Sequence, residues 1–436
     1  MTAVILQHAV VVTFHIVESV MSAVLDEDKR SIAELIANQK AGYSLEQRFY
    51  TDPDIYELEI ERIINRHWIL AGHVSQLPEP GDFKVLNVAR ESAIIVRAKS
   101  GALKGFANVC RHRGSMICQE SDGHADKFVC PYHGWTYDID GELFAARSMP
   151  EDFDMAAHSL NPVSVDVIHG LIFVCFTDTP LSLEGAKRDL SEPMAMFDFE
   201  NLKVAAQKTY KIPANWKLSI ENYQECYHCA TAHPEYARMH TLMLDSEKRE
   251  RVQAGMKAKM EACGVTDLYI DHIDTAARPG EIGYGYSRTA LFDKYKTGSK
   301  DGGPVAPLLG DFTDYDGGAS DFSLGAFSFL LAYSDHVVAY VFTPVDHNNS
   351  NCEIYWLVRG NADEGKDYNV SDLTWLWDVT MQADKEIIVN NSKGIHSKYY
   401  RPGPFSGMER AERTYVEWIL QELQRPDPEK KPGPGA

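Results

Sequence analysis

Cys110-Arg111-His112-Arg113-Gly114 and Cys130-Pro131-Tyr132-His133-Gly134-Trp135 each place one thiol and one imidazole in a short stretch that ends in glycine. Two thiolates and two imidazoles can close a tetrahedral zinc site, or bind a [2Fe–2S] cluster in which both histidines hold one iron. Each half mixes Cys with His instead of pairing like with like. The following glycines would let backbone amides approach bridging sulfides. Both features favour the cluster over zinc. Neutral imidazole in place of thiolate raises the potential of such a cluster, which suits it to passing electrons onward.

A second group of reactive residues runs from Asn215-Trp216-Lys217 through Glu221-Asn222-Tyr223-Gln224-Glu225-Cys226-Tyr227-His228-Cys229 to His233-Pro234. A helix over 218–230 would put Glu225 and His228, three apart, on one face. Pro234 pushes His233 out of helical geometry, so that it can turn back toward His228. Two histidines need a carboxylate to make the facial triad of a non-haem Fe(II) oxygenase. The spacing predicts a long helix over 373–390, N-capped by Ser371, whose apolar face of Leu373, Trp377, Thr380/Met381 and Ile387/Ile388 also takes in Asp384. A carboxylate on a buried face needs a compensating cation, and iron would serve.

Plainer roles stand beside these. Cys226 and Cys229 read as core cysteines sooner than as a redox or zinc pair, and Cys118 as a core cysteine. Glu221 and Glu225 read equally as a solvated pair, and Asp384 as the partner of an arginine. His67, His124, His240 and His336 read as structural.

These groups need elements to hold them. Residues 30–70 read as an N-terminal helical arm. From Gly81 to Phe176 short β-rich runs, such as 83–86 and 93–96, alternate with Gly, Asp and Asn turns, and 167–176 reads as one further buried strand. Beyond Pro180 and Pro193 come mixed helices and strands, among them 327–332, 337–343 and 352–358. The domains expected are 1–75 (helical arm, with Met21 as an alternative start), 76–185 (small β-domain), 186–425 (α+β) and a disordered tail 426–436.

With 436 residues, 44% hydrophobic, the chain can bury a large core. Its 63 acidic against 43 basic side chains leave a net charge of −20, which repels nucleic acid and anionic membranes. The stretch 4–25 is too interrupted for a membrane span and lacks a signal peptide's basic start. Eight cysteines scattered through so long a chain are not a disulfide framework. A soluble cytoplasmic protein is the expectation.

Together the two motif groups closely resemble the catalytic α-subunit of Rieske non-haem iron oxygenases, over about residues 45–420. The resemblance implies an α+β fold class: an N-terminal all-β Rieske domain followed by a larger helix-grip catalytic domain. It implies a [2Fe–2S] cluster on Cys110, His112, Cys130 and His133, and a mononuclear non-haem Fe(II) on His228, His233 and Asp384. It further implies a homotrimer in which Glu225 links His228 to His133 of the neighbouring subunit. Gly394-Ile395-His396-Ser397 through Gly403-Pro404 is similar to the family's C-terminal signature. Asn222, one turn before Glu225, would line the iron pocket.

The bridging position is usually Asp in ring-hydroxylating dioxygenases; Glu-Cys-Tyr-His-Cys resembles the quaternary-ammonium branch instead, whose members act on glycine betaine, carnitine, choline or stachydrine. A Rieske-type monooxygenase that removes an N-methyl group as formaldehyde is the function expected. Aromatic-ring hydroxylation is the alternative, and a non-catalytic electron-transfer Rieske protein the remote one. No G-x-G-x-x-G fingerprint is present, so NAD(P)H electrons would come through a separate flavin or iron–sulfur reductase. Tyr223, Tyr284, Tyr286, Phe327, Phe329 and Tyr340 are candidates for an aromatic box around a methylated ammonium. Arg288 is a candidate for its carboxylate.

Overall fold

A computed structural model describes residues 30–241, 244–265, 272–275, 278 and 280–425. The expectations for an alternative start and a disordered tail lie outside the described residues. The chain divides at Ala41/Gly42 into a short N-terminal unit and a main unit. The first contains the helix Ile32–Asn38, closed by a reciprocal capping box between Ser31 and Glu34.

The main unit begins with helical turns at Arg48–Thr51 and Pro53–Glu59, then forms an all-β domain. Its strands are β1 (Ile69–His73), β2 (Asp82–Val88), β3 (Glu91–Arg97), β4 (Leu103–Ala107), β5 (Asp122–His124), β6 (Lys127–Val129), β7 (Thr136–Asp138), β8 (Leu143–Ala145), β9 (Pro162–Ile168) and β10 (Leu171–Cys175). One sheet has the order β1-β10-β9-β4-β3-β2-β5, and β6-β7-β8 form a second. Phe83, Val85, Ile94, Val96, Phe128, Trp135 and Tyr137 make the core between them, and Cys118 belongs to it. The single strand expected over 167–176 is a hairpin instead. His169 and Gly170, with φ of 44° and 84°, form the two-residue turn that pairs Ile168 with Leu171.

The rest is α+β. Its strands are β11 (Leu202–Ile212), β12 (His272–Thr275), β13 (Tyr284–Ala290), β14 (Gly318–Leu324), β15 (Ser328–Ala332), β16 (Val337–Asp346) and β17 (Asn349–Arg359). They form an antiparallel sheet ordered β11-β17-β16-β15-β14-β13-β12. The helices that matter for the site are α1 (Trp216–Gln224), α2 (Cys229–Ala232), α3 (Pro234–Ala237), α4 (Ser246–Ala262), α5 (Val370–Ile395) and α6 (Arg410–Gln424). The fold class is α+β, as expected: an all-β domain followed by a larger domain of helices and one antiparallel sheet.

Helix α5 runs longer than the pattern suggested, and its N-cap is Asn369, whose side chain accepts from the Ser371 amide, in place of Ser371 itself. Trp377 and Tyr340 hold it against the sheet, with Tyr210 Oη donating to Asp378 Oδ1 at 2.6 Å. The start of α1 is anchored by buried Glu59, which accepts from Trp216 Nε1 at 2.8 Å and pairs with Lys217 Nζ at 2.6 Å. Among the described residues no helix is long and apolar enough to cross a membrane.

Candidate functional site

Two loops of the β-domain repeat one hydrogen-bond pattern twenty residues apart. Cys110 N donates to Ser115 O (2.8 Å) and Gly114 N to Cys110 O (3.0 Å); Cys130 N donates to Trp135 O (2.8 Å) and Gly134 N to Cys130 O (3.0 Å). Gly114 and Gly134 have φ of 77° and 71°, with open space where a Cβ would stand. The glycines therefore serve the left-handed turn, where another residue costs about 1–2 kcal/mol, and their amides are spent on the cysteine carbonyls.

The loops bury both cysteines and leave both histidines exposed, with the His112 and His133 rings 4.6 Å apart. Burial raises the Cys110 thiol, opposed by its contact with Tyr137 Oη at 3.3 Å. Desolvation, His112 and Arg113 hold His133 below its ordinary value, which favours the neutral form that ligates metal. Trp135 stacks on His112, and half-exposed Tyr132 stacks on His133.

At the second site the expected helix over 218–230 is interrupted. Helix α1 ends at Gln224, and Glu225 is extended, with φ −125° and ψ 161°. The Glu225 side chain explains the break: Oε2 accepts from the amides of Tyr227 and His228, a local turn that competes with the helix. Glu225 and His228 still meet, now across this turn, with His228 Nδ1 donating to Glu225 Oε1 at 2.6 Å. The break also brings the Cys226 and Cys229 Cα atoms to 4.9 Å, and the two are joined by a disulfide. They are not the free core cysteines expected. Cys229 Sγ lies within 4.8 Å of the His228 and His233 nitrogens, but the disulfide holds it.

Pro234 is the first residue of α3, and His233 caps it with φ −141° and ψ 74°. His228 Nε2 and His233 Nε2 stand 3.1 Å apart; Asp384 Oδ1 of α5 is 3.2 Å from the first and 2.9 Å from the second. Asn222 Nδ2 is 3.5 Å from His228 Nε2. With the Nδ1 proton of His228 given to Glu225, the Nε2 lone pair faces another imidazole and a carboxylate. Such a convergence needs a cation. By itself it recruits a proton: although desolvation pulls His228 down, Asp384 and Glu225 push it up to about 9. Burial would raise Asp384, but hydrogen bonds with His228 and His233 hold it below its ordinary value. The donor set of two imidazoles and one carboxylate fits a non-haem iron.

The remaining candidates separate. Tyr223 packs against Phe329 and Tyr340 at 4.6 and 5.1 Å, forming one aromatic cluster. Phe327 packs on Trp216, Tyr286 on Phe322, and Tyr284 donates to Asp189, away from that cluster. Arg288 is corrected as a substrate contact: it is fully buried, paired with buried Asp316, and donates to Ser320 at 2.7 Å. His67, His240 and His336 have buried partners in Glu422, Tyr333 and Asp335, and His124 pairs with Asp82 at the surface.

Glu221 is not half of a solvated pair. It accepts from Tyr50 Oη at 3.0 and 3.1 Å, and burial pushes it up to about 7. With Glu225, His228, Asn222 and Glu412 it lines a cleft of about 360 Å³. Sequence reasoning missed Tyr50 and Glu412, because their approach to α1 depends on distant segments. The stretch 400–405 closes the same cleft, with Tyr400 Oη on Leu45 O (2.8 Å) and Phe405 N on Gly42 O (2.9 Å).

A family model described as the Rieske [2Fe-2S] domain matches residues 67–163, and one described as the ring hydroxylating alpha subunit catalytic domain matches 199–425. The glycine betaine monooxygenase oxygenase subunit of Pseudomonas aeruginosa (strain UCBPP-PA14) is 33% identical over 402 residues, 92% of this chain and 93% of its own. The carnitine monooxygenase oxygenase subunit of Escherichia coli (strain K12) is 34% identical over 205 residues, 46% of this chain and 55% of its own. In fold, the chain is similar to a quaternary ammonium Rieske monooxygenase in complex with its substrate L-carnitine. The TM-score is 0.66 at 23% identity, over 89% of this chain and 98% of that one.

A Rieske domain joined to this catalytic domain defines the class, an iron-dependent oxygenase subunit. The chain belongs to the Rieske oxygenase alpha subunits, in the branch that holds the glycine betaine and carnitine monooxygenases.

Proposed function

We propose that this enzyme removes an N-methyl group from a quaternary ammonium compound such as glycine betaine, as a cytoplasmic homotrimer served by a separate NAD(P)H-dependent flavin or iron–sulfur reductase. Residues 76–185 would take up the electrons and 186–425 would carry the reaction. Cys110, His112, Cys130 and His133 would hold the [2Fe–2S] cluster, and His228, His233 and Asp384 the mononuclear iron. When bound, these groups supply electron transfer and the activation of dioxygen.

The observation that carries the reading is the convergence of His228, His233 and Asp384 within 3.2 Å of one another. Glu225 orients the His228 ring and keeps its Nδ1 protonated, so that Nε2 presents a lone pair. The aromatic faces of Tyr223, Phe329 and Tyr340 offer a surface on which a methylated ammonium binds without hydrogen bonds. In the net reaction one oxygen atom of O2 enters a C–H bond of the methyl group. The other leaves as water, with two electrons from NAD(P)H and two protons. The N–CH2OH product then loses its hydroxyl proton and breaks its C–N bond, releasing formaldehyde and the demethylated amine.

The test is to incubate the iron-loaded protein with a compatible reductase, NADH and O2. Glycine betaine, carnitine, choline, stachydrine and aromatic acids are offered in turn, and formaldehyde is assayed beside loss of each compound. Formaldehyde matched to loss of one quaternary ammonium compound is the expected result. An oxygenated aromatic product without formaldehyde would move the protein to ring hydroxylation.

A further inference from the structure

Residues paired across antiparallel strands share a face of the sheet. The register of β13 to β16 therefore sets Ser287, Asp321, Leu331 and Val338 in one row, with Ser323, Phe329 and Tyr340 in the neighbouring row on the same face. Tyr223 of α1 packs on Phe329 and Tyr340, and Trp377 of α5 packs on Tyr340. Asp321 thus projects from the face that carries the helices of the His228, His233 and Asp384 cluster. The opposite face is closed: Phe322 packs on Phe197 and Phe199, and Ser320 accepts from Arg288.

Among the described residues nothing donates a hydrogen bond to the Asp321 carboxyl and no cation pairs with it. It lies deep in the protein yet keeps some accessible surface. Burial alone pushes the carboxyl from its ordinary 3.8 to about 7. Beyond the effect of their own burial, Asp321 raises the phenols of Tyr223 and Tyr236, and Asp384 acts on Tyr236 as well. The Tyr236 ring is 5.6 Å from that of His233. Tyr236 is therefore within electrostatic reach of both carboxylates, one at the metal-ligand cluster and one on the sheet.

A buried carboxyl with no donor is unfavourable in the empty protein, and it becomes favourable when a cation enters. A trimethylammonium group suits this place. It carries full charge, has no N–H to donate, and binds to aromatic faces. We propose that Asp321 is a specificity-determining residue, the counter-charge for the quaternary ammonium of the substrate where its methyl groups meet Tyr223, Phe329 and Tyr340. The inference rests on the demethylase reading above and adds that the site selects for charge as well as for shape.

Cations and their neutral carbon isosteres separate the two contributions. Calorimetric titration of the metal-loaded protein with glycine betaine and 3,3-dimethylbutyrate, and with choline and 3,3-dimethylbutanol, gives a cation-over-isostere ratio. The wild-type protein is expected to favour the cation of its substrate pair by about tenfold or more. Asp321→Asn should lose most of that ratio by weakening the cation while the isostere binds as before, and Asp321→Glu should restore part of it. Unchanged isostere binding and an unchanged cluster spectrum exclude misfolding as the cause.

A wild-type ratio retained in Asp321→Asn, or equal weakening of cation and isostere, would overturn the proposal. If the wild-type protein still releases formaldehyde in that case, the demethylase reading stands alone. If it neither binds a quaternary ammonium compound nor releases formaldehyde, both readings fall.

Discussion

Glu225 does two things with one carboxylate: Oε2 satisfies two turn amides, and Oε1 accepts from His228 Nδ1. Removing it would loosen the ring that presents Nε2 without removing any of the three converging donors. Glu225→Ala is expected to keep the cluster's visible spectrum and the bound iron while coupled turnover falls by about 10- to 100-fold. Turnover at the wild-type level in a single-turnover assay would refute the role. Glu412 shows the opposite situation, a carboxyl whose two oxygens are buried without partners. Burial, then the nearby acidic groups Glu225, Glu409 and Glu221, push it from 4.5 to about 8. A raised carboxyl contributes its full stability below its unfolded value and loses it as pH rises through the folded value. The stability attributable to Glu412 should therefore fall between about pH 4.5 and about pH 8. Glu412→Gln, which cannot ionise, is expected to lessen the drop in Tm between acid and alkaline buffer by about 2 °C or more. Parallel melting curves for the two proteins would count against it.

At the scale of elements, the site depends on where helices stop. Helix α1 stops at Gln224 because Glu225 takes the next amides, and α2 stops before Pro234. Each stop turns one histidine, while the long uninterrupted α5 brings Asp384 across to both. Strands contribute their two faces. On β13, Arg288 points away from the aromatic cluster and is neutralised by Asp316. Arg288→Met would leave Asp316 buried and uncompensated, at a cost of about 3–5 kcal/mol. Urea unfolding should show that loss, whereas substrate affinity measured on the folded fraction should be unchanged. A selective loss of affinity at full stability would return Arg288 to the substrate.

For the whole molecule, the Rieske tip is the informative surface. Val109, Met116, Val129 and Tyr132, all more than 40% exposed, surround the loops that carry the exposed His112 and His133. An apolar rim around an electron-carrying group suits burial against another subunit, in line with the proposed homotrimer. Val129→Asp is expected to shift sedimentation from trimer toward monomer, and to slow delivery of electrons to the catalytic domain while leaving the visible spectrum intact. An unchanged sedimentation coefficient would remove this surface from the interface.

Much of this was legible in the chain itself. The two Cys-x-His and Cys-x-x-His stretches, the His228/His233 pair with Pro234, and the apolar periodicity that carries Asp384 inward are local patterns. Local backbone chemistry is enough to write them. Other features were settled only by the folded structure, some because local alternatives compete and some because their partners lie far apart in sequence. The turn at Glu225, the disulfide it permits, the hairpin at His169-Gly170 and the Asn369 cap are local in space, but each competes with a reasonable alternative of similar energy. Arg288 meeting Asp316, Tyr50 meeting Glu221 and Asp321 facing the aromatic cluster follow from strand register and helix packing. One residue of register reverses a side chain between faces, and no short window of sequence records which face that is.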